Sequence, residues 1–258
     1  MNELETVLYN VEGAVATVTM NRPKSMNAFN QQLRSDMAAA LEAADRDAAV
    51  RVVVLTGAGR AFNPGADLKE GISESVELQL TYQYRPVLDA ISNLRKPVIA
   101  AVNGFAAGIG LSVSLACDLV VMADNAFLLS PFTTISLVPD GGATWLLVRQ
   151  LGYKRAFEMS VEGQRLSAED ALAAGLINRV APAEEVVSNA QAWAAELAQR
   201  APLSLTATKR AMRLSMHASY DDVYRLEALL QGHCAASEDA AEGVQAFLDK
   251  RPPQFQGK

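Results

Sequence analysis

Two stretches of the chain set glycines beside apolar runs so that backbone N–H groups are left open to a ligand. The first is Gly59-Arg-Ala-Phe62-Asn-Pro-Gly65-Ala66-Asp67-Leu68, which follows the apolar run Arg51-Val-Val-Val-Leu-Thr56. The second is Gly104-Phe-Ala-Ala-Gly108-Ile-Gly110, set between Lys96-Pro97-Val-Ile-Ala-Ala-Val102 and an apolar helix. Glycine allows close approach to the main chain, and a helix N-terminus favours negative charge. Two such N–H groups converging on one carbonyl oxygen make an oxyanion hole for the enolate of an acyl thioester. Each donor typically lowers the barrier by about 3 kcal/mol. The same glycines also suit plain strand–helix packing, and on composition alone the two readings stand level.

Two other chemistries for the second turn are weaker. A dinucleotide loop belongs after the first strand and needs a Tyr-x-x-x-Lys pair, and none of the six tyrosines has a lysine four residues on. A serine nucleophile elbow is approached by Gly110-Leu-Ser112-Val-Ser114, but its second glycine is missing. Its base would have to be His217 or His233, the only histidines, both late in the chain. A third feature, Leu137-Val-Pro-Asp140-Gly-Gly142, places one carboxylate in a Pro-Asp-Gly turn, by itself an ordinary surface arrangement.

The elements that must position these groups follow from the apolar pattern. The run Val15-Ala-Thr-Val-Thr-Met20 predicts a strand ending at Asn21-Arg22-Pro23, and 30–44 predicts a helix with Asn30 as N-cap. Strands are expected at 51–56 and 96–102, and a helix at 78–94. This order suggests an α/β domain with parallel crossovers. After Ala181-Pro182 the strands cease, and helices are expected at 183–199, 203–216, 220–234 and early in 238–258. A boundary near Arg200-Ala201-Pro202 divides a core, residues 1–200, from a helical region, residues 201–258.

Composition bounds the partners. The chain has 258 residues, half of them hydrophobic, with a formal net charge of -6. An acidic chain is a poor nucleic-acid binder, so no nucleic acid is expected, though a local basic patch can still hold one small anion. Cys117 and Cys234 are too few and too far apart for a disulfide framework, which fits a reducing cytoplasm. No metal-ligand spacing occurs, and no metal or cofactor is expected. The acidic start Met1-Asn2-Glu3-Leu4-Glu5 has no apolar core of a secretory signal, and 97–123, broken by glycines, Asn103 and Asp118, is not a membrane span.

The chain resembles the crotonase (enoyl-CoA hydratase/isomerase) superfamily along essentially its whole length. The likeness is carried by Asn21-Arg-Pro23, Leu55-Thr-Gly-Ala-Gly-Arg-Ala-Phe62, Gly65-Ala-Asp-Leu68 and Lys96-Pro-Val-Ile-Ala-Ala-Val-Asn-Gly104. It continues through Ala116-Cys-Asp118, Leu166-Ser-Ala-Glu-Asp-Ala171, Gly175-Leu-Ile177 and Glu242-Gly-Val-Gln-Ala-Phe247 with Lys250-Arg251. The resemblance implies a ClpP-like spiral of ββα units with a C-terminal helical trimerisation region, as a homotrimer or dimer of trimers. It implies an acyl-CoA thioester substrate, with coenzyme A present only as part of that substrate. The oxyanion donors it implies are the N–H groups of Ala66 and Ile109. Asp67, Leu68 and Lys69 would line the coenzyme A path, and Arg22 and Lys69 are candidate phosphate partners.

The departures sharpen the expectation. Hydratases of the family carry two glutamates, and the matching positions here are Ser112 and Phe132, both placed to line the acyl pocket. Adding water needs a base for the water and an acid for the α-carbon, which a hydroxyl and a phenyl ring do not supply. What remains is Asp140, which matches the position from which family members lacking that pair supply their acid. The stretch 138–147 and the C-terminal end most resemble 1,2-epoxyphenylacetyl-CoA isomerase-like members. The expectation is an isomerase that moves a C=C bond, or rearranges an epoxide, with Asp140 as single acid/base. The alternatives are a hydratase-like lyase of fatty acid or phenylacetate degradation, a dehalogenase-type hydrolase using Asp140 as nucleophile, and a non-catalytic RNA-associated relative.

Overall fold

The computed structural model describes residues 4–71 and 73–258, so residues 1–3 of the acidic start lie outside the described residues. Ten strands are present: β1 Val7–Glu12, β2 Val15–Met20, β3 Val52–Gly57, β4 Ala61–Asn63, β5 Val98–Val102, β6 Phe105–Ala107, β7 Leu119–Ala123, β8 Phe127–Leu129, β9 Arg165–Ser167 and β10 Arg179–Ala181. The helices are α1 Gln31–Arg46, α2 Val76–Gln79, α3 Arg85–Asn93, α4 Ile109–Ala116, α5 Ala143–Leu151, α6 Tyr153–Glu162, α7 Ala168–Ala173, α8 Val186–Leu197, α9 Pro202–Ser215, α10 Tyr220–Ala235 and α11 Glu238–Asp249.

The strands form two sheets that the chain visits alternately. One runs β1-β2-β3-β5-β7-β10, the other β4-β6-β8-β9. Each of β3, β5 and β7 is followed within a few residues by β4, β6 or β8, and then by helix, so the ββα unit repeats three times. From β2 onward the larger sheet is parallel, with Val53 opposite Val98 and Ile99 opposite Leu119. Parallel strands covered on both faces read as unbroken apolar runs, which is why every residue of β3 and of β5 is buried. The spiral expected from the resemblance is therefore the fold. Turns between paired strands are pinned by side chains: Asn103 accepts from Gly57 N at 3.1 Å and donates to Gly59 O at 2.8 Å.

The predicted strands at 15–20, 51–56 and 96–102 are present with ends shifted by no more than two residues. Asn30 caps α1, its side chain accepting from Leu33 N at 2.9 Å. Two expectations need correction. The helix predicted over 78–94 is not uniform: α2 passes into a π-helical turn, Leu80–Tyr84, before α3. The glycine-rich turn after β5 contains a three-residue strand, β6, because pairing with β4 and β8 satisfies its backbone. Both cysteines are free, Cys117 buried at the end of α4. No helix among the described residues is long and apolar enough to cross a membrane.

The C-terminal end is held by polar contacts. Asp239 accepts from Gln256 N and Gly257 N at 2.6 and 2.8 Å, and Arg51 donates to Phe255 O at 2.7 Å. Helices α9 and α10 bury no residue fully.

Candidate active site

The loop carrying Ala66 is built by two asparagine side chains and a main-chain bridge. Asn27, fully buried and in the left-handed region at φ 66°, accepts from Arg22 N and donates to Ala58 O and Ala61 O. Asn63 donates to Asn27 O at 2.6 Å and accepts from Gly65 N at 2.8 Å. Phe29 and Ala66 form an isolated parallel bridge, in which Phe29 N donates to Gly65 O and Asp67 N to Phe29 O, each at 2.9 Å. These bonds occupy the neighbours of Ala66 and leave its own N–H without a protein acceptor among the described residues.

Ile109 is the first residue of α4, where a helical N–H has no intrahelical partner. The preceding Gly108 stands at φ 55°, ψ -130°, a conformation open to glycine and costly for other residues. The two loops touch. A Cβ on Gly65 would sit 3.7 Å from Ile109 N, and one on Gly108 would sit 3.6 Å from the Gly65 Cα. Ala66 and Ile109, both with N–H groups lacking a protein acceptor among the described residues, therefore stand on adjoining loops. The next residue after Ile109, Gly110, packs so closely on β4 that a Cβ there would lie 2.3 Å from Asn63 O.

Asp140 is brought to the same junction. Ser112, completely buried on α4, donates to Asp140 O at 3.0 Å, and a Cβ on Gly141 would lie 2.8 Å from Ile109 Cγ1. The Pro-Asp-Gly turn is thus folded onto α4, and Asp140 is half-buried. Its Oδ1 is buried without a hydrogen-bond partner among the described residues. Burial pushes the carboxyl pKa up to about 6, since the charged form loses hydration with nothing in return. The surface-turn reading of Pro139-Asp140-Gly141 fails on this geometry. A carboxyl with its pKa at about 6 can take a proton from a carbon acid and return it.

The remaining predicted residues divide. Phe132 is buried, its ring about one atom contact from the Gly108 position. Ser112 braces the Asp140 loop. Arg22 is not a free phosphate partner: its Nη1 pairs with Asp67 Oδ2 at 2.9 Å and also donates to Ala28 O. Burial opposes ionisation of Asp67, but the Arg22 hydrogen bond and the Lys69 backbone N–H together hold its pKa below the ordinary range. That ion pair ties the start of the loop to its end. Lys69 is exposed and Leu68 is 82% exposed. His217 is not bare surface. It lines a cavity of about 680 Å³ with Trp145, Leu80, Leu88, Gly141 and Gly142. This cavity adjoins the Asp140 loop through the two glycines, although Asp140, Ala66 and Ile109 do not line it. Trp145 also carries the Arg149 guanidinium 5.7 Å from its ring. Sequence reasoning missed Asn27, Asn63, Arg34 and Tyr84. The available signals were that Asn27 lies in the turn after β2 and Asn63 within the glycine stretch itself.

The chain is similar to known proteins along nearly its whole length. The profile of the enoyl-CoA hydratase/isomerase family matches residues 10–258. A Rhodobacter capsulatus protein described as a "probable enoyl-CoA hydratase" is 42% identical over 255 residues, 98% of each chain. The 1,2-epoxyphenylacetyl-CoA isomerase of Escherichia coli is 38% identical over 261 residues, 99% of this chain and 100% of that one. The crystal structure of an enoyl-CoA hydratase from Bacillus anthracis superposes with a TM-score of 0.94 at 31% identity, covering 98% of this chain and 100% of that one. With the ββα spiral and full-length likeness in agreement, the chain belongs to the crotonase superfamily as an enzyme of the enoyl-CoA hydratase/isomerase type.

Proposed function

We propose that the protein is an acyl-CoA isomerase in which Asp140 alone shuttles the proton. One observation carries this reading: Asp140 is a half-buried carboxylate whose Oδ1 has no hydrogen-bond partner among the described residues, on a loop held to α4 by Ser112, with Ser112 and Phe132 where hydratases of the family carry glutamates. The thioester oxygen is received by Ala66 N–H and Ile109 N–H. Asp140, ionised, takes a proton from the α-carbon of a β,γ-enoyl-CoA, and the two N–H groups stabilise the dienolate oxygen. The protonated carboxyl then returns the proton to the γ-carbon, leaving the α,β-enoyl-CoA. Atoms balance within the substrate, and Asp140 ends ionised as it began. Coenzyme A runs past Asp67, Leu68 and Lys69, where Lys69 supplies the free cation now that Arg22 is committed to Asp67. The likeness to the E. coli isomerase supports an epoxide-bearing acyl group of phenylacetate catabolism as a second substrate of the same base.

The hydratase reading is favoured by the Rhodobacter relative's description. The two readings separate on crotonyl-CoA. The expected result is hydration at least about a hundredfold slower than β,γ-isomerisation, since one of the two acid–base groups is absent. Rapid formation of 3-hydroxybutyryl-CoA, followed by loss of the enoyl absorbance, contradicts the isomerase reading.

We also propose a homotrimer or a dimer of trimers, since α10 and α11 expose large apolar side chains such as Leu229, Phe247 and Leu248. Sedimentation equilibrium is expected to give three or six times the chain mass, and a monomer at micromolar concentration contradicts it.

A further inference from the structure

Arg34 is a buried cation that the proton shift does not use. It leaves α1 with 4% of its surface exposed. Its Nη1 donates to Phe29 O at 3.3 Å, Glu70 Oε2 at 3.1 Å and the Tyr84 hydroxyl oxygen at 3.1 Å, and its Nη2 donates to Gln83 Oε1 at 2.8 Å. Its guanidinium carbon lies 4.7 Å from the Tyr84 ring centroid. Tyr84 closes the π-helical turn Leu80–Tyr84, a rare element that concentrates at functional sites. Its ring meets Phe29 edge-on at 6.1 Å between centroids, and Phe29 is the bridge partner of Ala66. At the other end of the same turn, Leu80 and Thr81 line the cavity that reaches Gly141 and Gly142. The π-helical turn therefore runs from the cavity beside the Asp140 loop, at Leu80 and Thr81, to the Ala66 loop, at Tyr84 and Phe29.

A guanidinium can only donate, so the Tyr84 oxygen is the acceptor in its bond with Arg34, and the phenolic proton is left to be given elsewhere. No acceptor among the described residues takes it. The phenol keeps that proton: burial raises its pKa above the ordinary value, Arg34 opposes, and the charges of Glu70 and Asp140 add to the rise. A buried donor without a partner is costly, and this one sits on the Arg34 guanidinium that also holds Phe29 O, the main-chain partner of the Ala66 loop.

We propose that Tyr84 is a substrate-binding residue whose hydroxyl donates a hydrogen bond to an oxygen substituent on the acyl group. The site thereby prefers acyl-CoAs that carry a hydroxyl, epoxide or keto oxygen near the reacting carbons over plain hydrocarbon chains. A plain chain leaves the phenolic proton unpaired in the closed complex, which is the larger part of the discrimination. The inference rests on the Asp140 isomerase reading for the place of the acyl group.

The test compares the natural protein with Tyr84→Phe on a plain β,γ-enoyl-CoA and on the same chain carrying a hydroxyl beside the double bond. The natural protein is expected to favour the hydroxylated substrate in kcat/KM, and Tyr84→Phe to lower that ratio about tenfold, the share of one neutral hydrogen bond. An equal fall on both substrates assigns Tyr84 a packing or positioning role and overturns the proposal, as does an unchanged ratio. The ratio of Kd for the two corresponding saturated acyl-CoAs is expected to fall in parallel, which keeps the test independent of turnover. Asp140→Asn is assayed beside them. If it isomerises both substrates at the natural rate, the isomerase reading fails, whereas a changed Kd ratio in Tyr84→Phe still stands.

Discussion

Asp140→Asn is expected to lower kcat for β,γ-enoyl-CoA isomerisation about a thousandfold, within the range that a positioned acid–base group contributes. Asparagine keeps the volume and the Pro-x-Gly turn, and Ser112 bonds the main-chain oxygen rather than the carboxyl, so the loop is retained. The pH dependence carries the same assignment. With the carboxyl pKa at about 6, kcat/KM of the natural enzyme should fall tenfold per unit below pH 6 and level off above it. Stability moves the other way. The folded state holds the Asp140 proton up to about pH 6, whereas the unfolded chain releases it near 3.9, so folding is favoured below the unfolded value and that benefit is lost as pH rises through 6. Asp140→Asn has no such loss. It should be more stable than the natural protein at pH 8, by on the order of 1 kcal/mol once solvent screening of the half-buried carboxyl is allowed for. The difference should vanish below pH 4, as denaturant titrations at both pH values will show. A variant that is dead yet more stable at alkaline pH is what a strained functional carboxyl produces.

Ile109→Pro is expected to lower kcat by about 10²–10³-fold, since it deletes one oxyanion donor. Proline suits the first position of a helix, and Gly108 before it already lies outside the α region, so α4 can form. The Ile109 side chain, which touches the Asp140 loop near Gly141, is partly lost as well. Ile109→Val isolates that effect, because it trims the side chain and keeps the N–H. Turnover of Ile109→Val within a few-fold of the natural enzyme, beside a collapsed Ile109→Pro that retains its thermal transition, assigns the loss to the donor. Equal losses in both variants would contradict the backbone role.

Much of the fold was legible in the sequence. The apolar runs at 15–20, 51–56 and 96–102 were unambiguous because parallel strands are buried on both faces, and Asn30 capped α1 as its residue type requires. The three-residue strands β4, β6 and β8 were not legible as strands, because their pairing comes from the neighbouring turn of the spiral and not from local propensity. The π-turn at Leu80–Tyr84 leaves no mark in an apolar period read over a dozen residues. Charge was the poorest guide. Arg22 read as a phosphate partner because its carboxylate, Asp67, is 45 residues away in sequence, and Arg34 was invisible because all its partners beyond Phe29 are tertiary. For Asp140, the turn was written in Pro139 and Gly141, but the burial that makes it reactive depends on Ile109 and Ser112 arriving from α4.

The most direct test of single-carboxylate isomerisation is product analysis from one β,γ-enoyl-CoA incubated in deuterated water with the natural enzyme. The account predicts an α,β-enoyl-CoA in which part of the α-proton reappears at the γ-carbon, because Asp140 carries it across one face of the substrate before exchange is complete. A product heavier by one molecule of water, formed at the same rate in Asp140→Asn, would contradict it.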